Sequence, residues 1–334
     1  MSEALALDLA ALRPELWLVA AILLALIADL VARGRARTAT GLIALAGTAG
    51  ALFALHNAPS VTYRAFGLLA LDGQADLFRM LIIAGTGIVV LHTMVFRQLE
   101  AGTRSELYPM MLAAALGGCL LVSTDHLLML LLAMEMLSLP SYLMAGWQKQ
   151  ERRSSEAALK YLVYGGLASA LMVFGFSLLY GLSGSLWMKD VAVALVKAWE
   201  EGGAAEQTAV VISTVLVLAG VGFKCATFPF HFWAPDVYEG APAPVTTLLA
   251  VASKAAGFGM LLRVTDGLLL SDVAISGDWV KRVGFVVAAA SAVTMTYGNV
   301  TAVLQRNVKR LLAYSSIAHA GYLLMGLAVM LSDP

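Results

Sequence analysis

Charge is scarce in this chain. Of 334 residues only 13% are Asp, Glu, Lys or Arg, about half the roughly 25% of an ordinary soluble domain. With 60% hydrophobic residues and a mean hydropathy of +0.81, there is too little polar surface to keep the chain dissolved, and lipid is the expected solvent. The formal net charge is zero, so the basic excess that points to nucleic acid is missing, and no nucleic-acid partner is expected. Cysteine is scarce too. Cys119 and Cys225 both fall inside apolar runs, and the absence of a CxxC pair leaves no support for an iron–sulfur cluster or a zinc site. Both read as small buried apolar residues, and no metal or cofactor site is expected in this chain. A basic segment ahead of the first apolar run is lacking as well: Glu3 and Asp8 accompany only Arg13. A cleaved signal peptide needs that segment, so Leu16–Ala32 is expected to stay as a helix.

Long apolar runs, by contrast, recur from end to end. They predict about ten helices, near 15–32, 39–56, 76–96, 107–124, 126–147, 156–183, 208–228, 243–265, 280–299 and 309–331. The fold class is therefore an all-α, polytopic transmembrane bundle without a soluble domain. The longest polar connection, 183–207, holds an amphipathic stretch, Val191–Trp199, expected to lie at the interface. Lys and Arg set the orientation. Arg33, Arg35 and Arg37, then Arg97 and Arg104, then Lys149, Arg152 and Arg153, then Arg306, Lys309 and Arg310 all fall on one side if helices alternate. Asp72, Asp190, Glu200, Glu201, Glu206, Asp266, Asp272 and Asp278 fall on the other. The basic face is read as cytoplasmic and the N-terminus as outside. A faint repeat links EMLSLPSYLMAG (135–146) with SSIAHAGYLLMG (315–326). It fits an inverted repeat or a coincidence between two apolar helices.

Against this background a few charges stand out. Glu135 lies within Leu127–Ala145, Lys224 within Val210–Phe228 and Lys254 within Val245–Leu262. A charge near the bilayer centre costs about 2.5–3.5 kcal/mol on insertion scales, so it is used or paired. Glu135, Ser138 and Tyr142 share one helical face, as do Ala250, Ser253, Lys254 and Gly257, whose small residues admit a close neighbour. A static ion pair that only orients helices is the bland alternative, though buried pairs stabilise poorly against apolar replacement. Lys224 precedes Pro229 by little more than a turn. Either the helix breaks there and frees carbonyls beside the ammonium, or Pro229 ends it at the membrane edge and Lys224 snorkels. Lys160 sits near a helix start, where snorkelling is favoured. His319, amid Ser315, Ser316 and Tyr322, suits a proton relay or a hydrogen-bonded packing role equally. Arg79 and Arg263 read as interfacial, and His231 as lying at the cytoplasmic mouth. His56, His92 and His126 look interfacial and receive no role. The physical idea is a relay. Burial favours the neutral form of a lysine, a nearby carboxylate favours the ammonium, and each unit of coupling is about 1.36 kcal/mol.

The stretch GFKCATFPFHFWAPDVYEGAPAPVTTLLAVASKAAGF (222–258) resembles the antiporter-like subunits of respiratory complex I, and Trp233–Pro242 within it most resembles subunit N of bacterial NADH-quinone oxidoreductase. QRNVKRLLAYSSIAHAGYLLMG (305–326) is a second match. Related L and M subunits and Mrp-type cation/proton antiporters usually diverge within the Trp233–Pro242 block. The resemblance implies two inverted five-helix repeats, no redox centre in this chain, and a relay of Glu135, Lys160, Lys224, Lys254 and His319. It implies a three-helix region over 1–106, a first repeat over 107–265 and the start of a second over 266–334. NADH, FMN, iron–sulfur clusters and quinone would belong to the parent complex. The implied partners are L/M-like and K-like membrane subunits, the peripheral redox arm and lipid, in a bacterial inner membrane. Subunit N usually has about fourteen helices, including a twelfth-helix lysine. About ten are read here, so a shortened chain with an incomplete second repeat is expected, and an Mrp-type antiporter subunit is the rival function.

Overall fold

A computed structural model describes residues 3–32, 37–58, 62–96, 104–270 and 278–332. Among these residues ten helices are long and apolar enough to cross a membrane. In chain order the helices are α1 (Glu3–Ala11), α2 (Arg13–Val31), α3 (Arg37–His56), α4 (Gly73–Val95), α5 (Arg104–Val122), α6 (Leu127–Ala145) and α7 (Arg152–Ser183). They continue with α8 (Met188–Glu200), α9 (Ala204–Cys225), α10 (Trp233–Gly240), α11 (Ala243–Leu248), α12 (Lys254–Leu268), α13 (Asp278–Val303) and α14 (Val308–Ser332). A single π-helical turn, Leu249–Ser253, joins α11 to α12 into one span.

The ten spans match the apolar runs, because hydropathy summed over some twenty residues carries that signal. Departures from an all-helical expectation are small. Strands β1 (Tyr63–Ala65) and β2 (Leu69–Leu71) form an antiparallel hairpin between α3 and α4, and its tight turn holds Phe66 and Gly67 at positive φ. The amphipathic stretch expected over 191–199 forms α8, with Met188, Val191, Ala192 and Leu195 buried on one face. Arg33, Arg35, Arg97 and Asp272, and the side chains of Arg37, Arg104 and Asp278, lie outside the described residues.

The chain divides into two compact units. The first comprises Met1–Thr124, Leu132–Ala158 and Gly240–Gly259. Here α2 packs on α3 and α5, α3 on α4, and α11 with the π turn on α4. Asp72 caps α4 by accepting a hydrogen bond from the Ala75 amide at 2.8 Å. The second unit comprises Asp125–Leu131, Leu159–Glu239 and Met260–Pro334. Its best-packed pair is α13 with α14, where Ser291 donates to the Gly321 carbonyl at 2.7 Å.

Close helix approach in the first unit depends on absent side chains. A Cβ at Gly117 would lie 2.4 Å from the Leu137 backbone nitrogen, and one at Gly259 would lie 2.4 Å from Val122. The contacts that face these glycines and Gly118 come from Leu137, Val122 and Ala256. Gly117→Ala should therefore lower stability by about 1–3 kcal/mol, as overpacking does. Gly166→Ala, where nothing lies within 4 Å, should not. Thermal unfolding in detergent checks this, and equal melting temperatures for the two variants would contradict the packing.

Candidate functional site

Helix α9 ends one residue after Lys224, and the ending is built from local chemistry. Ala226 takes a left-handed conformation at φ 57°, which costs a non-glycine residue about 1–2 kcal/mol. The turn closes because the Thr227 amide donates to the Gly222 carbonyl at 2.9 Å. The next freed carbonyl, that of Phe223, accepts from Trp233 Nε1 at 3.0 Å. Beyond the turn the Phe228 amide donates to Thr294 Oγ1 at 3.1 Å. The chain thus breaks in the way Pro229 foretells, but these carbonyls are taken up by protein rather than left open. Lys224 itself is 3% exposed, so it does not snorkel. Trp233 stacks on Tyr161 with ring centroids 4.5 Å apart and leans on Phe223 at 5.3 Å. An apolar cavity of about 270 Å³ flanks the break, lined in part by Gly222, Cys225, Phe228 and Pro229.

The same unit holds a charged junction that the spacing of residues gives no hint of. Asp236 on α10 accepts from Lys160 Nζ at 2.6 Å and from Arg310 at 2.6 Å, one oxygen to each. Arg310 also reaches Glu239 at 3.1 Å. Glu239 in turn accepts from Asn307 Nδ2 at 3.2 Å, and its carbonyl accepts from Lys309 at 3.3 Å. Lys160 is therefore an ion-paired residue and not merely a snorkelling one. Burial works to raise the Asp236 carboxyl, but hydrogen bonds from Lys160 and Arg310 outweigh it and hold the group below its usual range. Nearby, burial pushes the Tyr238 phenol up to about 12, with a Ser316 hydrogen bond opposing it.

In the first unit Glu135, Ser138 and Tyr142 share one face of α6, and Tyr142 senses both of the others. Ser138 is buried and donates back to the Met134 carbonyl at 2.7 Å. Lys254 is the first residue of α12, directly after the π turn. Such turns widen a helix by one residue and recur at functional positions. Sequence reading missed a second charged group in this unit. Arg79, expected at the interface, is 1% exposed. It donates to Glu15 at 2.9 and 2.6 Å and to Asp76 at 3.0 Å. Its partner Glu15 lies 64 positions earlier, beyond the reach of any local pattern. Arg263 is likewise buried within the protein.

The histidines divide. His319 lies on the exposed side of α14 with its ring 5.7 Å from Tyr322. Tyr322 is exposed and accepts from Asn299, whereas Tyr142, its counterpart in the faint repeat, is buried. His231, expected at the cytoplasmic mouth, is buried, at 1% exposed. His126 packs edge-on against Trp187 at 4.7 Å, and burial lowers its pKa. Cys119 and Cys225 are both buried. Among the described residues no group of three His, Cys, Asp or Glu side chains could hold a metal ion. Of the five residues singled out from sequence, Lys160, Lys224 and His319 fall in the second unit and Glu135 and Lys254 in the first.

Comparison with known proteins adds an independent observation. The profile of the NADH:quinone oxidoreductase/Mrp antiporter transmembrane family matches residues 124–333. NADH-quinone oxidoreductase subunit N of Chlorobium chlorochromatii is 41% identical over 95% of this chain, which spans 62% of that relative's length. A chain of respiratory complex I from Thermus thermophilus, solved with bound aureothin, aligns with a TM-score of 0.75 at 35% identity, covering 95% of this chain and 64% of that one. A chain of the Mrp complex from Dietzia sp. also has a TM-score of 0.75, at 24% identity over 95% of this chain and 34% of its own. That last likeness is one of fold alone.

The Asp236 junction carries a pH prediction. A carboxyl held below its unfolded pKa stabilises the fold above that unfolded value, and the contribution is lost as pH falls through the folded pKa. Asp236→Asn should lower the melting temperature at neutral pH, by the equivalent of about 1 kcal/mol for partly exposed pairs. The two proteins should converge in strong acid. A difference that persists unchanged at low pH would show that the carboxylate charge is not responsible.

Proposed function

The chain belongs to the NADH:quinone oxidoreductase/Mrp antiporter transmembrane family, and from that premise we propose that it is a proton-translocating membrane subunit of a complex I-type NADH-quinone oxidoreductase. The observation that carries this reading is Lys224, buried at a helix break inside the stretch 222–258 that resembles the antiporter-like subunits. Glu135, Lys160, Lys224, Lys254 and His319 are the groups proposed to pass protons. A buried ammonium is stable only while a carboxylate or polar group balances it. Moving that partner therefore changes its proton affinity. Carrying one charge against 100 mV costs about 2.3 kcal/mol, within reach of a coupling of about two pKa units.

Electrons do not pass through this chain in the proposed scheme. NADH, FMN, iron–sulfur clusters and quinone belong to the parent complex, and the energy released there drives proton movement here. The proposed neighbours are L/M-like and K-like membrane subunits, the peripheral redox arm and lipid. The proposed setting is a bacterial inner membrane, with the face bearing Lys149, Arg152, Arg153 and Arg306 in the cytoplasm and the N-terminus outside. Two inverted five-helix repeats, the first over 107–265 and the second begun over 266–334, are part of the same proposal. The Trp233–Pro242 block separates this reading from an Mrp-type antiporter.

Lys224→Ala and Glu135→Ala in the assembled complex test the relay. Each should reduce proton translocation by about tenfold, corresponding to about 1.4 kcal/mol on the coupled step. The measurement is protons moved per NADH oxidised in proteoliposomes. Unchanged activity and stoichiometry in both variants would reject these roles. Sodium-dependent exchange without NADH oxidation would favour the antiporter.

A further inference from the structure

We propose that the cavity where the start of α2, the end of α3 and the start of α4 meet holds the phosphoethanolamine head of a zwitterionic phospholipid. Its phosphate would sit on Arg13 and its primary ammonium on the carboxylates of Asp76 and Asp8. The inference goes beyond the proton-translocating reading and uses only the membrane-spanning fold. Every residue in it belongs to the first unit.

The cavity has a volume of about 340 Å³. At the roughly 30 Å³ that one water takes in the liquid, it has room for about ten non-hydrogen atoms, which covers a phosphate joined to an ethanolamine. Its polar lining is Arg13, Asn57, Tyr63, Asp76 and Arg79, and apolar side chains of α1 and α3 adjoin them. Arg79 is the buried part of this wall, and its charge is already spent. It is 1% exposed, with Nε and Nη2 donating to Glu15 and Nη1 to Asp76. It therefore presents no bare cation to an anion.

The charges left open lie around it. Asp76 gives Oδ1 to Arg79 at 3.0 Å, and its Oδ2 has no hydrogen bond among the described residues. Asp8 accepts from the Tyr63 hydroxyl at 2.7 Å, also through one oxygen only. Arg13 is exposed and makes no ion pair among the described residues. Two carboxylates and one guanidinium thus remain for a ligand. A simple anion would meet both carboxylates, and a simple amine would leave Arg13 unmatched. A zwitterion satisfies both signs. A primary ammonium carries three N–H donors and can serve two carboxylates at once. A trimethylammonium head has no donor, and a glycerol head brings no positive charge.

The helices argue for a lipid rather than a free zwitterion. Helices α2, α3 and α4 are spans, and the cavity lies at their ends. Trp17 lies one turn inward from Arg13 on α2, and Phe53 one turn inward from Asn57 on α3. Both rings are open to the surroundings, Trp17 at 49% and Phe53 at 71% exposed. Gly50, on the same side of α3 as Phe53, lets the Trp17 ring lie close: a Cβ there would be 2.6 Å from it. Charged cavity, then interfacial aromatic ring, then apolar span is the order of head, glycerol level and acyl chain in a bilayer.

The test uses the assembled complex in vesicles of defined composition. A phosphatidylethanolamine probe with a diazirine in its acyl chain is cross-linked by light, and labelled peptides are mapped by mass spectrometry. Label should concentrate on residues 7–17 and 50–57. Unlabelled phosphatidylethanolamine should displace it about tenfold better than phosphatidylcholine or phosphatidylglycerol, a ratio worth about 1.4 kcal/mol. Arg13→Gln combined with Asp8→Asn should lower this labelling about tenfold. Labelling at exposed Leu159 and Val163 of α7 reports general lipid contact and should not change. Equal displacement by the three lipids, stronger displacement by phosphatidylglycerol, or labelling of 7–17 and 50–57 no higher than at Leu159 would overturn the proposal. The displacement arm uses the unaltered chain, so it decides the matter even where the double variant does not assemble. Proton translocation is read by neither arm, so failure here leaves the wider reading standing.

Discussion

One carboxylate organises the second unit. Asp236 divides its two oxygens between Lys160 and Arg310, and through them ties α10 to α7 and α14. The two sequence blocks that carry the family resemblance, Trp233–Pro242 and Gln305–Gly326, meet at this carboxylate. A single aspartate can do this because it accepts at both oxygens and two cations of different reach share it. Without it, two positive groups would sit near each other on helices surrounded by apolar surface, where like charges repel strongly.

Charge economy explains much of the remaining structure. A bundle with this little charge gains from pairing the ionic groups it buries. In the first unit Arg79 is matched by Glu15 and Asp76. Backbone polarity is balanced in the same way. Where α9 breaks, Thr227, Trp233 and Thr294 supply the partners that a continuous helix would have provided. His231 departs from this rule, with no hydrogen bond to either ring nitrogen among the described residues. A site that breaks a local rule amid others that obey it is where function is sought.

Much of the fold was legible in the sequence, and the reason is physical. Hydropathy is a local sum, so Leu127–Ala145 or Ala204–Cys225 announces itself over one bilayer thickness. Lys224 and Pro229 both conflict with an uninterrupted apolar span, which left a broken helix and a helix ended at the membrane edge as readings. The pairings were not legible. Lys160 and Asp236 are 76 positions apart and Arg79 and Glu15 are 64 apart, and no periodicity encodes such meetings. The burial of Arg79 and His231 was not legible for the same reason. Each lies near a helix end, where exposure is the usual outcome, and tertiary packing buried them. The π turn before Lys254 is also silent in sequence, since its residues Leu249–Ser253 are ordinary helix formers with small neighbours.

The central claim is that the Asp236 carboxylate couples energetically to the cations it touches. A double-mutant cycle on Asp236→Asn and Arg310→Gln, read by thermal unfolding of the assembled complex, measures that coupling directly. The account predicts a non-additive interaction of about 0.5–1 kcal/mol or more. Strictly additive effects of the two substitutions would contradict it.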